Sequence, residues 1–157
     1  MPFVIRGLSP EPFRPLFALD AATMAARNIR RVIADAGHGF PCRVTLEDAW
    51  QGETLLLLPF LHHDVAGPFR ASGPIYVRER AMQQPAAELR DARTPFFTRR
   101  LLSLRAYDAE GMMRQADVVD GADAHAHLQR MLDAPGVARL HVHSARPGCY
   151  LCRVDPA

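Results

Sequence analysis

The 157 residues predict an α+β fold, in which an antiparallel or mixed β-sheet packs with two or three helices in a single domain. Three observations lead there. Stretches with strand character outnumber those with helical spacing. The two kinds do not alternate regularly, as a parallel βαβ fold requires. One run, Leu55-Leu56-Leu57-Leu58-Pro59-Phe60-Leu61, is apolar at successive positions, so a strand there is expected to be central and covered on both faces. With 48% hydrophobic and 23% charged residues, the composition is that of a folded globular chain.

Residues 2–7 read as a first strand. Ser9-Pro10 then suits a helix start that places Phe13, Leu16 and Phe17 on one face. Asp20 is the next cap, with Leu19 and Met24 as a hydrophobic staple around a short helix ending near Arg27. Residues 29–35 alternate as a strand, with a continued helix as the alternative, Gly37–Pro41 form a loop, and Cys42–Leu46 are short and extended.

After the apolar strand at 54–60, His62 to Gly73 read as a long polar loop and Pro74–Glu79 as another strand. Pro85 and Pro95 bracket a helical turn around Ala86–Arg90. Leu101–Asp108 and Met112–Val119 form a hairpin closed by Gly111, because glycine supplies the positive backbone angle that the turn needs. A helix over 122–133 buries Ala124, Leu128, Met131 and Leu132, and Pro135-Gly136 stops it. Val137–His143 and Tyr150–Asp155 are the last strands.

All 19 basic side chains are arginine. Without lysine the chain forms no Schiff base, and it lacks the phosphate-binding lysine of a P-loop. A net charge of +2 with no basic run among aromatics argues against nucleic acid as a partner. No charged stretch precedes a long apolar run, and no run approaches a membrane span, so the expectation is a cytoplasmic protein without a membrane partner. Three cysteines are too few for a secreted disulfide framework, and reduced thiols are expected.

Phe40-Pro41-Cys42-Arg43, Leu46-Glu47-Asp48-Ala49, Gly52-Glu53, Ser72-Gly73-Pro74-Ile75-Tyr76-Val77-Arg78, Ser103-Leu104-Arg105-Ala106-Tyr107-Asp108 and His141-Val142-His143 through Pro147-Gly148-Cys149-Tyr150 together resemble the family known as domain of unknown function 1203. Ser144 stands where that pattern has asparagine. The resemblance spans nearly the whole chain. It implies a bacterial protein of one compact domain and brings no activity with it.

Chemistry must therefore be read from the residues. Cys149 and Cys152 have the spacing of redox and zinc sites, with His141 and His143 nearby, but an extended chain sends positions 149 and 152 to opposite faces. The expectation is no metal and no cofactor. Cys42 and Cys149 each follow a turn, where a nucleophilic thiol would need a histidine partner. His125 and His127, two apart on a helix, diverge around its axis, with His127 partly buried and His125 solvated. Gly-x-Ser-x-Gly, His-Glu-x-x-His and dinucleotide glycine signatures are missing.

Strand alternation gives the sharper expectation. Leu102, Leu104 and Ala106 share an apolar face, leaving Ser103, Arg105 and Tyr107 opposite; Ala138, Leu140 and Val142 likewise leave Arg139, His141 and His143 opposite. If Tyr76 and Arg78 lie in the same sheet, then Arg78, Arg105, Tyr107, His141 and His143 line a pocket, with His141 and His143 as candidate proton carriers. His62 and His63, at the end of the apolar strand, are further candidates for binding. The expected function is a small-molecule site on a sheet face, in an enzyme or a binding protein. Arginine there would orient an anionic group by paired hydrogen bonds. A non-catalytic interaction or regulatory module is the reading from another class, and a concave site discriminates between the two.

Overall fold

A computed structural model describes residues 1–157. The strands are β1 (Phe3–Arg6), β2 (Arg30–Ile33), β3 (Pro41–Cys42), β4 (Glu47–Asp48), β5 (Thr54–His63), β6 (Ala71–Arg78), β7 (Glu88–Leu89), β8 (Leu101–Tyr107), β9 (Met113–Asp120), β10 (Arg139–Ser144) and β11 (Tyr150–Pro156). Three α-helices accompany them: α1 (Ala21–Ala26), α2 (Pro95–Thr98) and α3 (Ala124–Leu132). The predicted α+β class is the one observed.

The strands form two sheets where the sequence reading assumed one. The larger is antiparallel, in the order β7-β1-β11-β10-β8-β9. The smaller runs β2-β5-β6-β3-β4 and is mixed, because β3 pairs with β6 in parallel through Cys42 and Tyr76. Tyr76 and Arg78 therefore belong to a different sheet from β8 and β10.

Alternation places the apolar faces as expected. Leu102, Leu104, Ala106, Leu140 and Val142 are buried with Ala124, Leu128, Met131 and Leu132 of α3 in the main core. A second core joins Leu56, Leu58, Ile75 and Val77 of the smaller sheet to Phe13, Leu16 and Met24. Leu55 faces a third, smaller cluster with Ala34 and Ala49, so β5 is covered on both sides at that level. Leu57 is a partial exception: it is half-buried and borders a cavity.

Capping follows the sequence closely. Asp20 accepts from Thr23 N at 2.7 Å at the start of α1, and Asp120 accepts from Ala122 N at 2.9 Å just before α3. Gly111 closes the β8–β9 hairpin at φ 84°, and a Cβ there would lie 2.6 Å from the Val65 side chain, so both the backbone angle and the space require glycine.

Two local expectations are corrected. Ala86–Arg90 is not a helical turn: Glu88 and Leu89 form β7, a short edge strand paired with Ile5 and Arg6. The polar loop is also shorter than expected. β5 continues through His62 and His63 and pairs with β6 from Ala71 onward, because backbone pairing with a long partner outweighs the polar side chains. No helix is long and apolar enough to cross a membrane.

Candidate metal centre

The site is built by the polar face of β8 and β10 meeting the end of β5. Cross-strand register sets His141 opposite Arg105, His143 opposite Ser103 and Arg139 opposite Tyr107. Partners in an antiparallel pair point to the same face, so Arg105 and His141 share a side, as alternation predicts.

His62 and His63 reach this face from the other sheet. Adjacent residues of a regular strand point opposite ways, but the β5–β6 register shifts between Leu61 and His63. This β-bulge turns both imidazoles toward β10. The His63 ring lies 5.1 Å from that of His141 and 4.0 Å from Tyr107, on which it stacks. His62 packs 5.1 Å from His143 and stacks at 5.2 Å, nearly parallel, on Tyr150, while the His141 ring lies 6.3 Å from it.

One ring nitrogen from each of His62, His141 and His143 lies within 4.8 Å of the other two. His141 and His143 are buried and His62 half-buried. Burial is the main cause that lowers all three imidazoles: His62 and His143 to about 4 and His141 to about 2, with neighbouring histidines and arginines adding to the effect. At neutral pH the three rings are uncharged, the state in which imidazole binds metal.

Of the three, only His143 has its tautomer fixed by a hydrogen bond. His143 Nδ1 lies 3.0 Å from Gly148 O, which can only accept, so Nδ1 carries the proton and Nε2 keeps its lone pair. His143 Nε2, His62 Nδ1 and His141 Nδ1 are buried and have no hydrogen-bond partner. His63 differs, since its Nε2 lies 2.9 Å from Gly111 O. It holds the hairpin and buttresses His141.

The expectation of no metal rested on Cys149, Cys152, His141 and His143. The cysteines indeed stand apart: Cys152 is buried in the main core among Leu104 and Val142, and Cys149 borders a separate cavity. What the sequence did not reveal is that His62, there a binding candidate on a loop, comes beside His141 and His143, because the bulge that aims it leaves no mark in the residue pattern.

Arg78 does not belong here. It is buried in the smaller sheet, where its Nε and Nη2 bind Glu53 at 2.9 and 2.7 Å and its Nη1 reaches Glu47 and Thr45. Once β6 and β8 fall in different sheets, their polar sets cannot share a face. Arg105 remains beside the histidines, half-buried, its Nε 3.3 Å from Ser103 Oγ. Tyr107 is buried against His63, and burial raises its hydroxyl above the ordinary range.

The expected pocket is also corrected in form. The imidazole and phenol rings fill the space between the sheets, and the cavities of the molecule open elsewhere. Tyr150 was overlooked in the sequence because it begins a strand, where alternation has no preceding residue to set its face. Of the helical pair, His125 is less solvated than expected, packing 5.0 Å from Phe3 and accepting from Ala92 N at 3.3 Å.

No curated protein and no solved structure matches the chain. Residues 39–155 match the family described as "Protein of unknown function (DUF1203)". That span includes every histidine, tyrosine and arginine of the cluster, and over it the chain belongs to the DUF1203 family.

Proposed function

We propose that His62, His141 and His143, where the end of β5 meets the polar face of β8 and β10, hold a divalent transition-metal ion. The observation that carries this reading is the convergence of three neutral imidazoles, each with an unpartnered buried nitrogen. A buried polar atom without a partner is costly, and metal coordination removes that cost. Three histidines are also the ligand set of zinc sites that keep a fourth position open.

Zinc–nitrogen bonds of about 2.0–2.1 Å set tetrahedral nitrogens roughly 3.3 Å apart, so nitrogens within 4.8 Å of one another need to close by up to about 1.5 Å. Gly148 O fixes the His143 tautomer in the manner of an outer-sphere partner. When bound, such an ion supplies Lewis acidity and lowers the pKa of a coordinated water. Arg105, facing His141 across the strand pair, favours an anionic ligand beside the ion.

Cobalt(II) titration of the metal-stripped protein tests this. The expected result is one equivalent bound per chain with visible absorption of a low-coordinate centre, lost in His62→Gln and His143→Gln and retained in His125→Gln. Addition of acetate should perturb the spectrum, less so in Arg105→Gln. No binding, or binding undiminished in both cluster variants, refutes the proposal.

A further inference from the structure

A separate cavity of about 410 Å³ is bordered by Arg43, Leu57, Tyr76, Arg100, Ser144 and Cys149. It shares no lining residue with the histidine cluster, and no carboxylate lines it. Its two guanidiniums differ in their circumstances. Arg100 is neutralised by Asp48, with contacts of 2.5 and 3.1 Å. Arg43 forms no salt bridge, although it is 2% exposed.

Arg43 Nε donates to Tyr150 O at 2.8 Å and Nη1 to Pro41 O at 2.6 Å. These two bonds fix the guanidinium plane, and Nη2 has no partner within the chain. A buried cation without a counter-ion is costly, and burial already lowers this group to about 10. An anion in the cavity would complete the pairing. The Cys149 thiol stands on the same wall, close enough that its charge would act on Arg43, with its Sγ 4.0 Å from Pro147 O.

We propose that this cavity binds a small oxyanion, a carboxylate or a phosphate group, on the free Nη2 edge of Arg43 and against the thiol of Cys149. The remaining wall is suited to one small ligand: Leu57 and the ring of Tyr76 offer apolar contact, and Ser144 offers a hydroxyl. Volume and lining match a compact metabolite carrying one anionic group. The site does not depend on the metal reading, because none of its residues belongs to that cluster.

Cys149 is its own reporter, since Cys42 and Cys152 are buried. In the metal-free wild-type chain, alkylation rates at Cys149 are measured by peptide mass with iodoacetate, an anion, and iodoacetamide, its neutral analogue. Both react with the same thiolate, so their rate ratio cancels the thiolate fraction and reads the attraction of the cavity for a carboxylate. The ratio should be roughly five-fold or more higher in the folded protein than in urea, given the concentrating effect of a cationic cleft. At constant ionic strength, inorganic phosphate or acetate should slow iodoacetamide, and the better protector identifies the charge type. A folded ratio no higher than the unfolded one, or protection by neither anion, overturns the proposal. Arg43→Gln, where it folds, should return the ratio to the unfolded value, and the wild-type comparison stands alone where it does not.

Discussion

Arg78 shows how much one side chain can hold when its acceptors are complete. Its side chain is 2% exposed and binds Glu53 through two parallel hydrogen bonds, with Glu47 and Thr45 on the remaining nitrogen. Removing it leaves Glu53, 12% exposed, without its cation. Arg78→Ala should therefore cost about 3–5 kcal/mol in chemical denaturation, the range for breaking a buried pair from one side. Arg78→Lys keeps the charge and loses the fork, so an intermediate loss is expected. Equal stability of Arg78→Ala and wild type would contradict the pairing. The sequence marked Arg78 as a polar position on a strand, but its partners lie 25 and 31 residues earlier, and nothing local announces them.

Among the elements, β5 separates what alternation reveals from what it hides. Leu56 is fully buried in the second core with Ile75, Val77 and Met24, whereas Leu57 is half-buried at the edge of the Arg43 cavity. Leu56→Ala should cost about 2–5 kcal/mol, and Leu57→Ala clearly less, because a side chain that already borders open space leaves little new void. Equal losses would mean that the cavity closes in solution. The faces of β8 and β10, the helix at 124–132 and the cap at Asp20 were all legible, since each follows from side-chain period or local hydrogen bonding. The partition into two sheets was not, because strand pairing between distant segments depends on tertiary packing. Nor was the bulge after Leu61, which inverts the direction that period two assigns to one of the two histidines.

Over the whole molecule, the histidine cluster ties folding to pH. His62, His141 and His143 are held below their ordinary value of about 6.5 in the fold, chiefly by burial, so the unfolded chain binds more protons at mildly acidic pH. In the metal-free protein their contribution is fully present above pH ~6.5 and is lost progressively as pH falls toward 4, with His141 extending the loss further. Urea midpoints measured between pH 7.5 and 4 should fall monotonically, and a flat profile would show that the rings are already solvated. Saturating zinc at neutral pH should raise the midpoint and increase the unfolding free energy by about 2.7 kcal/mol at one hundred times the dissociation constant. A different consequence comes from the pairing of Phe3–Arg6 with Tyr150–Pro156 inside the larger sheet. During synthesis the first strand leaves the ribosome long before β11 exists; β7 reaches only Ile5 and Arg6, so Phe3 and Val4 must wait unpaired for nearly the whole translation time. Nascent chains arrested before residue 150 should thus remain open to protease near Phe3, with protection arriving as a late, single event once β11 emerges.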